Sequence, residues 1–258
     1  MWYNVEVVDI ECKNISKKFN DFYALDDISF KISSGEIVGF IGANGAGKTT
    51  AMRIIMGVLA STNGQVLFNN HEITLEDRRK IGYMPSERGL YPKKKVGKQL
   101  QYLAMLHGLS ASKANEQVDK YLELLNIKQY KNKALETLST GNQQRIQLIV
   151  SLIFEPSALI LDEPFSGLDP VAVHDMSSMI REQAKKNGVP VLFSSHQLEL
   201  VDELCDRIIL IKNGKILAHG SPEQLREEYG YSQTIEIPTP LASIFYDLIS
   251  GGTDDPNS

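Results

Sequence analysis

Residues 42–50 read GANGAGKTT, and no other stretch of the 258-residue chain limits the fold as tightly. The pattern is G-x-x-x-x-G-K-[ST], met by Gly42, Gly47, Lys48 and Thr49. On either side stand the elements that give such a pattern its meaning. EIVGFI (36–41) is almost uniformly apolar and reads as a buried strand, and a helix is expected from Gly47 to about Gly57. Between them, glycines let backbone N–H groups turn inward around an anion, and the helix N-terminus adds a favourable dipole. Asn44, Gly45, Ala46, Gly47, Lys48, Thr49 and Thr50 are therefore the candidate phosphate contacts. Lys48 has the reach and charge for β- and γ-phosphate oxygens, and the Thr49 hydroxyl is a candidate Mg²⁺ ligand.

A strand feeding such a loop belongs in a parallel α/β sheet, and the rest of the chain supplies its neighbours. ALILDEP (158–164) and PVLFSS (190–195) are short apolar runs separated by a helical pattern from about 170 to 187. Buried strands alternating with helices predict a mostly parallel sheet covered on both faces. GQVLFNN (64–70) and IGYMP (81–85) read as further strands. Near the N-terminus, VEVVDIEC (5–12) and ISFKI (28–32) look like strands with one wet face, giving an antiparallel β part. From Val96 to Asn126 the strand signal disappears. Leu100, Leu103, Ala104 and Leu106 have helical spacing, and Ser110 opens a second helix carrying Val118, Leu122 and Leu125. Asn213-Gly214 joins RIILIK to KILAHG as a hairpin, and Ser221-Pro222-Glu223-Gln224 has the cap, proline and glutamine of a helix start. The expected class is α/β: a P-loop nucleotide-binding core with a mostly parallel sheet, an N-terminal antiparallel β part and an inserted helical subdomain. The expected boundaries are 1–88 and 138–230 for the core and 89–137 for the helical subdomain. A short C-terminal extension, 231–258, is expected to add one strand (TIEI), one short helix (LASIFYDLI) and a frayed tail.

ALILDEP delivers Asp162 and Glu163 to the carboxyl end of its strand, where ligands of open parallel sheets sit. Asp162 is the expected second Mg²⁺ residue, acting through water, and Glu163 the group that orients or deprotonates an attacking water. The alternative is that the two acids cap the next loop or pair with a lysine. His196, just after VLFSS, should lie beside the nucleotide strands and contact the γ-phosphate, or else serve only the structure. Phe19 offers a face for adenine stacking; Phe22 and Tyr23 compete for that role, and core packing competes for all three. LSTGNQQRIQL (138–148) is harder to explain. Ser139 or Thr140 can cap the apolar-periodic helix that follows, yet Gly141 and Asn142 just inside its start weaken it by propensity.

The order GANGAGKTT, LSTGNQQ, LILDEPFSGLD and SSH resembles the nucleotide-binding subunit of ATP-binding cassette transporters, over about residues 5–230. The combination is far more specific than any motif alone. The resemblance implies ATP and Mg²⁺ as ligands and explains LSTGNQQ, which stands at the family's signature position. Two subunits pair head to tail, and each signature closes over the ATP held by the other. A helix N-terminus bearing small residues lets that second backbone approach the γ-phosphate closely. Ser139 and Gly141 are thus the implied ATP contacts. Ser166, Gly167, Leu168 and Asp169 resemble the D-loop that communicates across the dimer, with Asp169 also facing nucleotide.

Two departures stand out. The signature is usually LSGGQ, and here Thr140 and Asn142 replace Gly and Gln, changes that do not obviously block approach. After IGYMP the family usually has a glutamine that senses Mg²⁺, water and the membrane subunit; this chain has Ser86, then Glu87. Serine is too short to reach as glutamine does, so the metal contact passes to Ser86, to water or to Glu87. The stretch IGYMPSERGLYPKKKV, with L-S-x-G-N-Q-Q, is most similar to the ATPases of sodium, drug, peptide or bacteriocin exporters. These work with a separate membrane chain. The implied protein is a peripheral ATPase at the cytoplasmic face of the cell membrane that powers export. Its implied partners are a transmembrane permease, docked on the helical insert, and a second cassette chain, expected to be an identical copy.

Composition removes other classes. Lys plus Arg is 27 against 32 for Asp plus Glu, a net charge of −5, which is not a nucleic-acid footprint. Cys12 and Cys205 form no CxxC pair and suit a reducing cytosol. No apolar run approaches the ~18 residues of a membrane span, and Glu6, Asp9 and Glu11 stand where a signal peptide would be basic and then apolar. The expectation is a soluble, intracellular chain. Two further readings stay open. One is a cassette that binds ATP and barely hydrolyses it, to which only Ser86 points. The other is a non-transport ATPase of the same superfamily, which would usually bring a coiled coil, zinc site, second cassette or basic surface.

Overall fold

The computed structural model describes residues 7–87 and 89–229. The expected TIEI strand and LASIFYDLI helix lie outside them, as does the start of VEVVDIEC. In chain order the elements are β1 (Ile10–Phe19), β2 (Phe22–Ile32), β3 (Ile37–Ile41), α1 (Lys48–Ile55), β4 (Asn63–Phe68), β5 (His71–Glu72), α2 (Leu75–Arg79), β6 (Ile81–Met84), α3 (Val96–Leu106), α4 (Ala111–Leu124), α5 (Thr140–Leu152), β7 (Ala158–Leu161), α6 (Pro170–Asn187), β8 (Val191–Ser195), α7 (Leu198–Leu204), β9 (Arg207–Lys212), β10 (Lys215–Gly220) and α8 (Pro222–Glu228).

The architecture follows from β3, which is buried at all five positions. Its side chains alternate between two apolar clusters: Ile37 and Ile41 enter one, Val38 and Phe40 the other. β7 and β8 divide in the same way, with Leu159, Leu161, Val191 and Phe193 on one side and Ala158, Ile160 and Leu192 on the other. Strands buried at every position are strands covered on both faces. They form a six-stranded sheet, β10-β9-β3-β8-β7-β6, parallel except where β10 returns antiparallel to β9. That return is made at Asn213-Gly214, both with positive φ (49° and 76°), as a type I′ hairpin requires. A four-stranded antiparallel sheet, β2-β1-β4-β5, and α1 cover one face. Helices α3 to α7 cover the other.

Between residues 89 and 137 the described residues hold α3, α4 and two single 3₁₀ turns, Lys128–Tyr130 and Leu135–Thr137. The apolar faces of α3 and α4, including Leu100, Ala104, Val118 and Leu122, share one cluster with Ile146, Leu148, Ile149 and Leu152 of α5. Through α5 the helical part and the sheet have a common core.

The structure corrects some sequence expectations. The N-terminal strands reach beyond the expected segments: among the described residues β1 runs from Ile10 to Phe19 and β2 from Phe22 to Ile32, a hairpin turning at Asn20-Asp21. Register shifts after Cys12 and a left-handed Asn14 (φ 50°) interrupt the alternation that would have marked β1. Two short helices, α2 and α7, had no sequence prediction. α2 spans only five residues and is fixed by a capping box between Thr74 and Asp77. The predicted starts of α5 and α8 are met by Ser139 and Ser221, whose hydroxyls accept from the backbone N–H of Asn142 and Gln224.

Candidate nucleotide site

Two glycines of the β3–α1 loop, Gly42 and Gly47, are there for steric reasons. Gly47 precedes α1 with φ 115°, and a Cβ there would lie 2.7 Å from the Ala24 carbonyl oxygen. At Gly42 a Cβ would meet the Ile211 carbonyl oxygen of β9 at 2.4 Å. Residues 43–50 line one side of a groove of about 270 Å³, and Ser86, Asp162 and Glu163 line the rest. The carboxyl ends of β3, β6 and β7 therefore converge on this groove.

Within the groove the side chains form a connected set. The Lys48 ammonium donates to the Gly42 carbonyl (2.5 Å) and stands 3.7 Å from Glu163 Oε1. The Thr49 hydroxyl donates to Asp162 Oδ2 (2.7 Å), and the Ser194 hydroxyl donates to Asp162 Oδ1 (2.7 Å). Asp162 is completely buried, and these two contacts make it an acceptor at both oxygens, with no ion pair to it among the described residues. Buried carboxylates are ordinarily paired or coordinate a metal. A hydroxyl and a carboxylate oxygen are hard donors of the kind Mg²⁺ takes, and so limited a protein set leaves places for phosphate oxygens and water. The residues present fit that ion. The negative charge is felt nearby: the Tyr83 phenol is pushed up by burial and, further, by Asp162.

Glu163 Oε2 lies 2.9 Å from His196 Nδ1, so this carboxylate stands between a lysine and a histidine. Its backbone is left-handed (φ 53°), a conformation that costs a non-glycine residue about 1–3 kcal/mol and persists where surroundings enforce it. The Glu163 N–H donates to Ser194 Oγ (2.8 Å), and the Glu163 carbonyl accepts from Gln144 Nε2 (3.1 Å), which also donates to the Pro164 carbonyl (3.1 Å). One turn further along α5, Gln147 Nε2 donates to the carbonyls of Pro85 (2.6 Å) and Glu87 (3.2 Å), on either side of Ser86. Ser194, Gln144 and Gln147 were not singled out from sequence. Gln144 closes LSTGNQQ and Ser194 opens SSH, but nothing in those stretches gave either residue a role of its own, and the signal of Gln147 was polarity on an otherwise apolar helix face.

Other predicted residues stand outside the groove lining. Ser139 caps α5. A Cβ on Gly141 would lie 3.5 Å from Leu168 Cδ2, so the signature abuts the loop after β7. The Asp169 carboxylate accepts from the Ala172 N–H (2.9 Å) and caps α6. Phe19 ends β1 and is 46 % exposed, with Lys17 Nζ 5.1 Å above its ring. Phe22 and Tyr23 are exposed too, which removes core packing as an account of the three. Glu87 forms an ion pair with Arg53 (3.1 Å) and does not line the groove.

Residues 25–166 match the family described as ABC transporter. The chain belongs to the ABC transporter family. It is an ATP-binding subunit of that family and an ATPase. It is 43% identical to the uncharacterized ABC transporter ATP-binding protein YhaQ of Bacillus subtilis (strain 168), over 84% of this chain and 72% of that one. The solved structure of an ATP binding subunit of an ABC transporter superposes with a TM-score of 0.83 at 28% identity, covering 93% of this chain and 99% of the other. The dimeric structure of the ABC transporter cassette MJ0796 shares the fold (TM-score 0.76, 22% identity, 82% and 98% covered). Among the described residues no helix is long and apolar enough to cross a membrane.

Proposed function

We propose that this ATPase powers export through a separate transmembrane permease, as one half of a head-to-tail homodimer at the cytoplasmic face of the membrane. The observation that carries the reading is the convergence of Lys48, Thr49, Asp162 and Glu163, with His196 hydrogen-bonded to Glu163, about one groove. Backbone N–H groups of residues 44–50 cradle the phosphates, and Lys48 neutralises the β- and γ-oxygens. Thr49 and Asp162, with Ser86 beside them, would hold Mg²⁺, which supplies charge neutralisation to the phosphates when bound. Glu163 acts as general base toward the attacking water, and His196 orients it and faces the γ-phosphate. Phe19 stacks on adenine. A cassette that only binds ATP would have no use for the 2.9 Å contact between Glu163 and His196.

Ser139, Gly141 and Asp169 serve across the dimer. They stand outside the groove of their own phosphate loop, and the signature abuts residues 167–168. Residues 1–88 and 138–230 act as the ATPase core and 89–137 as the permease-docking subdomain, with 231–258 a C-terminal extension. Export rests on the likeness of IGYMPSERGLYPKKKV to exporter ATPases, and the net charge of −5 argues against a nucleic-acid partner.

Mixing two damaged chains tests the composite site. Ser139→Arg combined with Glu163→Gln removes a usable signature but keeps the phosphate loop; Lys48→Ala does the reverse. Neither should form an ATP-dependent dimer alone, whereas the mixture rebuilds one site and should dimerise on size exclusion when ATP is added. If the mixture stays monomeric while the Glu163→Gln chain dimerises readily, the signature serves its own chain and the reading fails.

A further inference from the structure

We propose that Ser194 is a positioning residue for ATP hydrolysis, fixing at once the carboxylate that meets Mg²⁺ and the backbone that presents the general base. The inference rests on the roles given above to Asp162 and Glu163. Leu161 of β7 and Phe193 of β8 are register partners, so the next residues, Asp162 and Ser194, come side by side where the two strands end. Ser194 is completely buried. Its single hydroxyl proton goes to Asp162 Oδ1, and its oxygen accepts the Glu163 N–H. Both capacities are thereby used on consecutive residues of the site.

The two contacts do different things. Asp162 is held at both oxygens, but Thr49, on Oδ2, is itself a proposed metal ligand. Ser194, on the opposite oxygen, is the hydroxyl that can keep orienting the carboxylate while Thr49 turns to the ion. At Glu163 the bond closes a frame around a left-handed residue: Ser194 holds its N–H and Gln144 its carbonyl. Without the hydroxyl, the Glu163 N–H is left without its partner, and the strained backbone loses one of the contacts enforcing it. The carboxylate would then leave its position 3.7 Å from Lys48 and 2.9 Å from His196.

Ser194→Ala in the full chain removes one oxygen and leaves the strand pairing of β8 intact. Three measurements separate positioning from mere packing. Mn²⁺ binding, followed by electron paramagnetic resonance with a non-hydrolysable ATP analogue, should weaken about tenfold. kcat should fall about tenfold or more. ATP affinity in EDTA should stay within about twofold, because the phosphate loop is untouched. A packing role would lower the melting temperature and leave Mn²⁺ affinity unchanged. A folded Ser194→Ala chain with wild-type Mn²⁺ affinity and kcat overturns the proposal. Should the alanine chain not fold, Ser194→Thr, which keeps the oxygen, must retain wild-type Mn²⁺ affinity, and loss of it there also overturns the proposal. Asp162→Asn and Glu163→Gln keep the outcomes distinct. If they hydrolyse normally the underlying reading falls; if they are inactive and Ser194→Ala is normal, only the role of Ser194 falls.

Discussion

Glu163→Gln keeps the side-chain shape and deletes its charge, and the geometry predicts opposite effects on rate and on affinity. Removing a positioned general base should cost on the order of 10²–10⁴ in rate, or about 3–5 kcal/mol. The same carboxylate stands 3.7 Å from Lys48 Nζ, with Lys48 6 % and Glu163 20 % exposed. Coulomb's law at an effective dielectric of about 20 gives roughly 4 kcal/mol for that separation. Solvent reaches Glu163, and Lys48 keeps its bond to the Gly42 carbonyl, so the attraction that ATP must overcome to draw the ammonium away is closer to about 1 kcal/mol. Glutamine should therefore bind ATP about fivefold more tightly while hydrolysing it at least about a hundredfold more slowly. Phosphate release under saturating ATP gives the rate, and displacement of a fluorescent ATP analogue gives the affinity. Turnover within about tenfold of wild type would refute Glu163 as the base. Weaker binding would show that its charge does not compete with phosphate for Lys48.

Asp77 offers a pH test. Burial pushes its carboxyl up, but hydrogen bonds from the Thr74 hydroxyl and N–H, and from His71, outweigh that and hold it at about 2, against an ordinary 3.8. A depressed carboxyl stabilises the fold fully above its unfolded value and loses that contribution as pH falls toward the folded one. Asp77→Asn should thus melt lower than wild type at pH 7, with the gap closing below about pH 4; a gap independent of pH would refute the assignment. Lys93, Lys94 and Lys95 are exposed, next to α3. Reversing all three to glutamate should leave soluble ATPase activity unchanged and reduce recovery of the chain with its permease in membranes, and unchanged co-purification would mark the run as a solvated loop.

What could be read from sequence depended on how local the physics is. GANGAGKTT and ALILDEP were legible because a phosphate cradle and a buried strand each impose their pattern on a few consecutive residues. The antiparallel hairpin was only half legible, since the left-handed Asn14 and the register shifts of β1 break the alternation on which strand reading relies. Asp169 illustrates a different limit: its match to the D-loop was visible, but not that its carboxylate is engaged in capping α6. Ser194 reads in sequence as one polar residue at the end of VLFSS. Its meaning lies in partners 31 and 32 positions away, just beyond the end of a neighbouring strand, and no periodicity reports such pairs.

Gln144 and Gln147 lie three residues apart on α5, and each spreads one amide over two carbonyls, those of Glu163 and Pro164 in one case and of Pro85 and Glu87 in the other. N–H···O bonds of this length are lost with a displacement of about 1 Å, so α5 cannot slide or roll while both loops stay behind. A rigid displacement of α5 that kept these four bonds would carry the peptide of Glu163 and the segment around Ser86 along with it.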